Sequence, residues 1–398
     1  MSEKRLKNRV CIVGTGLTKF GNHFDKSYED LLSEASVTAI KDAGIDRNRI
    51  DAAWLGTAFP DAGVYKGRSG MDLAEPLGLF DIPVTRVSNY CATGADAIRG
   101  AVNSLLAGES DVALAVGVEK LRDRPPQESI VKMMVEMGHP FYQKGFTAPG
   151  TFAMYARRHF IKNGVTPDDL ADISVKNHSN AFLNPGAHYR KEITRQEVLE
   201  SVMVADPLHV LDSCPTTDGA AAVVMVRAED AGRFSGTPVW LKAIELVVST
   251  GWDLPYFDSS YDFLSFRATK VAAKKAYREA GITDPVKQID LAEVHDCFSI
   301  VELLSYEDLG FCPPGKGKVL LRSGATRRNG EIPVNVSGGL LSCGHPVGAT
   351  GVRMVCEVAG HLRGTVGKRQ IPGAKTGLTH TIGGPGAVAS VIILGNEP

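Results

Sequence analysis

The sequence has no apolar run of the roughly 18 to 20 residues that a bilayer-spanning helix needs, so no membrane span is expected. It also has almost no net charge: 44 Lys+Arg stand against 45 Asp+Glu, which leaves -1. A balance that even offers no broad field for a polyanion, so nucleic acid is not the expected partner; a local basic pocket for a phosphorylated ligand stays compatible. The opening, MSEKRLKNRVCIVGTG, lacks the apolar stretch and cleavage site of a secretory leader. Nor are any of the seven cysteines (11, 91, 214, 297, 312, 343 and 356) spaced as Cys-x-x-Cys. That argues against a disulfide framework and fits reduced thiols, one or two of them reactive, in a cytoplasmic protein.

What is present fits an ordinary globular protein: 398 residues, 43% hydrophobic and 22% charged. That length exceeds one ordinary core, so two or three packed units are expected. Strand-like runs at residues 9–14, 52–59, 85–89 and 112–116 alternate with a helical pattern at 27–42 and, after the Tyr90–Gly94 segment, an alanine-rich helix to about Ala107. Strand, turn, helix and strand make a βαβ-type unit, whose chemistry sits at the carboxyl ends of the strands. Residues of about 120–205 change character and read as an inserted loop domain. The α/β pattern resumes at 212–226 and again at 239–248, 268–280, 289–294, 334–336 and 376–394. Two halves are therefore expected, 1–235 (including the insertion) and 236–398. Each carries a reactive side chain on a turn just before a small-residue helix, a weak internal duplication.

Four segments carry the chemistry. Cys91, in NYCATG, follows a strand and precedes a helix, where free N–H groups and the helix dipole are expected to lower its pKa. Those N–H groups also suit an oxyanion. The plain alternative is a packed core cysteine. His345 stands in GHPVGATG, where Pro346 and the glycines fix a sharp turn that can present an imidazole as base. His295 and Cys297, in HDCF, are two apart at a strand end and can share one side, with Asp296 facing away; a satisfied buried histidine is the alternative. His380 opens THTIGGPG, whose glycines offer further N–H donors; for His380 itself a structural turn before the last strand is the alternative. A zinc site from His295, Cys297 and a third ligand lacks the usual spacing, so no metal is expected.

In this order, and with DSCPTTDGAAAV between them, these segments resemble the thiolase superfamily across nearly the whole chain. HDCF is similar to the sterol-carrier-protein-linked and archaeal-type branch. The resemblance implies two βαβαβαββ halves in five layers (αβαβα) with an inserted loop domain. It implies cleavage of a 3-oxoacyl-CoA by coenzyme A, or the reverse Claisen condensation, through an acyl group on Cys91. His345 would activate Cys91, and Cys297 would move the α-carbon proton, since His380 stands where many thiolases have a second cysteine. His295, through water, and His345 would hold the thioester oxygen; the N–H groups of Cys91 and of a residue near Gly383 would form a second oxyanion hole. Ile382 falls at the nearest aligned position there. Coenzyme A would be substrate, with no tightly bound cofactor. The family further implies a homodimer or dimer of dimers, and for some members a small zinc-ribbon/OB-fold accessory subunit.

Two other readings compete. A 3-oxoacyl or hydroxymethylglutaryl-CoA synthase-type enzyme also uses a nucleophilic cysteine, but with His–His or Glu–His–Asn partners. A non-catalytic thiolase-like lipid or acyl-CoA binding subunit would not need the cysteine that this chain keeps. The acyl group stays open between acetoacetyl-CoA and an aromatic or branched 3-oxoacyl-CoA such as benzoylsuccinyl-CoA. Met133, Met134, Met137, Phe141, Tyr142 and Phe146 are candidate linings for an apolar pocket, with ordinary core or interface as the somewhat favoured alternative.

Overall fold

The computed structural model describes residues 6–63, 67, 69–132, 147–234, 236–249 and 260–398. The six apolar candidates between Met133 and Phe146 lie outside them. The strands are β1 (Val10–Leu17), β2 (Ala52–Gly56), β3 (Val84–Val87), β4 (Val112–Glu119), the hairpin β5 (Met203–Ala205) and β6 (Leu208–His209), β7 (Gly219–Arg227), β8 (Val239–Val248), β9 (Leu291–Val294), β10 (Thr376–Gly383) and β11 (Val388–Gly395). The longer helices are α1 (Tyr28–Ala43), α2 (Thr93–Ala107), α3 (Ala148–Asn163), α4 (Pro167–Phe182), α5 (Arg267–Ala280), α6 (Ser299–Asp308) and α7 (Val347–Arg363).

Local signals account for many of the boundaries. Helix α1 starts at Ser27, whose hydroxyl accepts from the Asp30 N–H while the Asp30 carboxylate accepts from the Ser27 N–H; it stops at Gly44, at φ 68°. Its stripe of Leu31, Leu32, Ala35 and Ala39 is fully buried, packed on β1 and β7. Helix α5 likewise ends on Gly281, at φ 79°.

The sheet order is β3-β2-β4-β7-β1-β8-β11-β10-β9. In the first half β3, β2 and β4 run parallel, and β7 and β1 are antiparallel additions. The second half mirrors this: β9 is parallel to β10, while β11 and β8 are antiparallel additions. The expected strand at 334–336 shrinks to one parallel bridge, Ala292 to Val334, in the place that β3 occupies in the first half. The halves join through β1 and β8 over only Cys11–Trp240 and Ile12–Val239.

Helices α2 and α7 lie between the two sets of strands, α1 covers the outer face of the first and α5 that of the second. This gives the five αβαβα layers. The three largest apolar cores among the described residues lie under α1, around α2 and α7, and between α5, α6 and the inserted helices. The central crossing is tight because both sides carry glycine. A Cβ on Gly94 would come 2.7 Å from the Gly348 carbonyl oxygen, and one on Gly117 would come 2.3 Å from the same atom. Only glycine allows so close a backbone approach. Helices α3 and α4 of the insertion pack against α6, so they roof the ends of the strands.

Candidate active site

Both helices of the central layer begin at the same end of the molecule, and each is preceded by a candidate reactive residue. Tyr90 takes φ 48°, an unusual conformation for a bulky residue that suits a sharp turn out of β3. The turn is pinned by Thr93, whose hydroxyl donates to the Tyr90 carbonyl at 2.5 Å and accepts from the Asn89 N–H at 2.7 Å. Cys91 is thereby presented, half-buried, to a cavity of about 520 Å³. On the other side Gly344 at φ 103° and Pro346 aim His345 at the same point.

The decisive contact spans the two halves: His345 Nε2 lies 3.3 Å from Cys91 Sγ. The proton positions follow from the neighbours. Thr350 Oγ1 donates to the Pro346 carbonyl at 3.0 Å and lies 2.7 Å from His345 Nδ1. With its own hydrogen committed, Thr350 accepts from Nδ1–H, which leaves the Nε2 lone pair facing the thiol. Burial and then the Arg353 charge lower the His345 pKa to about 3, so the imidazole is neutral. Cys91 departs from expectation. Burial and then the Glu119 carboxylate push its pKa up to about 12, against the opposing N–H groups of Gly384 and Cys91 itself. Desolvation outweighs the helix terminus, so the resting pair is thiol and neutral imidazole.

Glu119 was not singled out in the sequence. It is buried and accepts from Thr57 Oγ1 (2.9 Å) and the N–H groups of Ala58 (2.9 Å), Phe59 (3.0 Å) and Gly348 (2.8 Å). The expected strand 52–59 therefore ends at Gly56, because residues 57–59 turn aside to this carboxylate. The signal for it was a lone charge closing the apolar run VALAVGVE.

HDCF behaves as the two-residue alternation demands. His295 and Cys297 face the cavity, while Asp296 points away to Asn177 Nδ2 (2.7 Å) and the Leu340 N–H (2.6 Å). Burial and then Glu302 raise the Asp296 carboxyl well above the usual range. Glu302 in turn accepts from Asn177 and from Asn335 Nδ2 (2.7 and 2.6 Å) and pairs with Lys176 at 2.8 Å. This buried lattice holds the turn rigid. The His295 and His345 rings stand edge to face with centroids 5.2 Å apart, and His295 Nδ1 is buried without a partner. Burial and then His345 hold the His295 pKa well below normal, and burial raises the Cys297 thiol well above.

Two expectations need correction. His380 is not at the site: it is buried, with Nε2 2.9 Å from Thr269 Oγ1 and Nδ1 3.4 Å from Ser305 Oγ. On β10 its side chain turns toward α5 and α6, so it is a core histidine. The N–H that faces the Cys91 sulfur belongs to Gly384 rather than Gly383, and Gly384 lines the cavity. Cys214 lines it too, its N–H bonded to the Cys297 carbonyl at 2.9 Å. A cysteine inside DSCPTTDG carried no signal of its own. Cys91, His295 and His345 present donor atoms within 4.8 Å of one another; the short contact within this group is the thiol–imidazole hydrogen bond.

Family models agree with this architecture. The model "Thiolase, N-terminal domain" matches residues 10–229, and "Thiolase C-terminal domain-like" matches residues 251–396. The chain belongs to the thiolase family. The thiolase is 41% identical, over 96% of its own length and 98% of the relative's, to an acetyl-CoA acetyltransferase of Methanothermobacter thermautotrophicus. It is 36% identical to sterol carrier protein 2 of Bos taurus, over 97% of this chain and 72% of that protein. Among solved structures, the Ltp2-ChsH2(DUF35) aldolase superposes with a TM-score of 0.81 at 25% identity, covering 98% of both chains. As a thiolase, the protein is an acyltransferase enzyme.

Proposed function

We propose that the cavity cleaves a 3-oxoacyl-CoA with coenzyme A, Cys91 carrying the acyl group between the two half-reactions. The observation that carries this is the 3.3 Å contact from His345 Nε2 to Cys91 Sγ. A neutral thiol beside a neutral imidazole needs only a short proton transfer to become a nucleophile when substrate arrives.

In the first half-reaction Cys91 gives its proton to His345 Nε2, and the thiolate attacks the 3-oxo carbon. The tetrahedral oxyanion is held by the N–H groups of Cys91 and Gly384, the latter in place of Gly383. The C2–C3 bond breaks, the acyl group stays on Cys91, and the electron pair moves onto the leaving thioester as an enolate. His345, now carrying Nε2–H, and His295 stabilise the enolate oxygen, and Cys297 donates its proton to C2. Acetyl-CoA or its analogue leaves. In the second half-reaction the Cys297 thiolate takes the proton of incoming coenzyme A, whose sulfur attacks the acyl-Cys91. His345 returns its proton to Cys91, and every group is restored.

Two supports favour this over a synthase-type reaction or a non-catalytic binding role: the second thiol, Cys297, faces the cavity, and Cys91 is accessible there. The division into halves at 235/236 is part of the same reading, with the two family-model matches ending at 229 and beginning at 251. So are coenzyme A as substrate without a tightly bound cofactor, a dimeric or tetrameric assembly, and a cytoplasmic setting, for which the seven free cysteines argue. An accessory subunit is supported by the DUF35 component named for the aldolase structure. The test is a panel of 3-oxoacyl-CoAs with free coenzyme A, following thioester cleavage and the mass of Cys91. Wild type is expected to turn over at least one and to gain the acyl mass on Cys91. Turnover that persists undiminished in Cys91→Ala would overturn the reading.

A further inference from the structure

Among the described residues, the cavity over Cys91 is lined by neutral side chains with one exception. Among the described residues facing it, Arg122 is the single permanent charge, and no carboxylate faces it. Arg122 follows the end of β4 and is only partly exposed. Its Nη1 donates to Thr216 Oγ1 at 3.1 Å, whereas its Nε is shut off from solvent and has no acceptor.

The nearby acids are already engaged. Asp218 accepts from the N–H groups of Leu121 and Arg122 and from Lys120 Nζ, at 2.7, 2.8 and 3.1 Å. Asp123 pairs with Lys120, and Glu119 is spent on its four donors. A guanidinium partly removed from water, beside apolar walls and without a counter-ion among the described residues, is costly unless an anion arrives. Its planar fork suits a carboxylate, which can take two parallel hydrogen bonds.

Position decides which anion fits. Thr216, which Arg122 holds, forms a backbone bridge to His345, and bridged segments lie about 4.8 Å apart. Arg122, Thr216, Cys91 and His345 line one cavity, so the guanidinium faces the space that an acyl group on Cys91 would enter. The phosphates of coenzyme A lie at the far end of the pantetheine arm when the thioester is at Cys91. We propose that Arg122 binds a free carboxylate on the acyl group, making the substrate class 3-oxoacyl-CoAs that carry a second acid. This rests on the thiolase reading of Cys91 and His345 above. It also gives a role to the one cation among the described residues that line the cavity.

A matched pair of ligands tests it: succinyl-CoA and butyryl-CoA, equal in carbon count and different in the terminal carboxylate, with free coenzyme A as control. Wild type is expected to bind succinyl-CoA roughly 10- to 100-fold more tightly than butyryl-CoA by titration calorimetry. Arg122→Met should erase that preference by weakening succinyl-CoA alone, and Arg122→Lys should keep part of it. A wild type without the preference overturns the proposal. So does an Arg122→Met protein that loses succinyl-CoA, butyryl-CoA and free coenzyme A alike, because that marks a phosphate contact or a damaged fold. Acylation of Cys91 by acetyl-CoA, read by mass, is scored separately: its absence in wild type sinks the thiolase reading, whereas its presence without the carboxylate preference sinks only this proposal.

Discussion

The two halves of the molecule share a strand plan but divide the work unequally. At the end of β2 the first half places Thr57, Ala58 and Phe59, and at the end of β4 it places Glu119; these bond to one another and to Gly348. The equivalent ends in the second half, after β9 and β10, face the cavity with His295, Cys297 and Gly384. Only the third position carries a proposed reactive group in both, Cys91 before α2 and His345 before α7. A duplicated frame thus supplies six strand-end positions. One half uses two of its three to bond across the halves, whereas all three positions of the other face the cavity. The polar groups needed to fix a site need not lie in the half that carries the chemistry.

Breaking the nucleophilic side should have the largest effect. Cys91→Ala is expected to lower turnover by about 10⁴-fold or more and to abolish the acyl mass increment, as removal of a covalent nucleophile does elsewhere. Next comes Cys297→Ala, on the opposite half. Deuterium exchange at the α-carbon of acetyl-CoA should fall by about 10²-fold or more, while acylation of Cys91 stays within a few-fold of wild type. Equal loss of both would collapse the division of labour between the thiols. A smaller effect is expected from Thr350→Val, which removes the acceptor for His345 Nδ1–H. The imidazole then loses its fixed tautomer, and alkylation of Cys91 by iodoacetamide should slow by about tenfold, with the folded fraction unchanged.

His380→Asn should leave turnover at neutral pH unaltered, because that imidazole sits in the core. Its effect appears in acid. Burial lowers the His380 pKa to about 3, whereas an unfolded chain has a histidine pKa of about 6.5. Between those values the unfolded state binds a proton that the folded state refuses, so stability falls as pH drops through that window. Urea unfolding across it should show a shallower acid decline in the variant. A loss of turnover at neutral pH would place His380 back among the catalytic groups.

Much of this was readable from residues alone. The alternating runs located the main strands, with the second half's 334–336 segment reduced to a bridge because only Val334 reaches its neighbour. That Cys91, His345, His295 and Cys297 face one cavity was legible because glycine, proline and strand-end positions mark places where a side chain is displayed. Their electrostatics were not. The Cys91 pKa depends on depth and on Glu119, 28 residues away in sequence, and a helix-terminus argument sees neither. His380 misled because alternation along β10 has two faces, and only the packing of α5 and α6 decides which one meets the cavity. Arg122 and Cys214 were silent for a related reason: single residues in the inserted region and in a turn acquire meaning only from what surrounds them.

The glycines at the central crossing have one more implication. Because Gly117 and Gly94 each meet the Gly348 carbonyl with no side chain between, the gap between sulfur and imidazole is gauged by main chain against main chain. A side chain that changes its rotamer elsewhere does not enter that contact. Thickening the seam by one methyl group would widen the gap, and the protein would then keep both reactive residues while losing the spacing that makes them a pair.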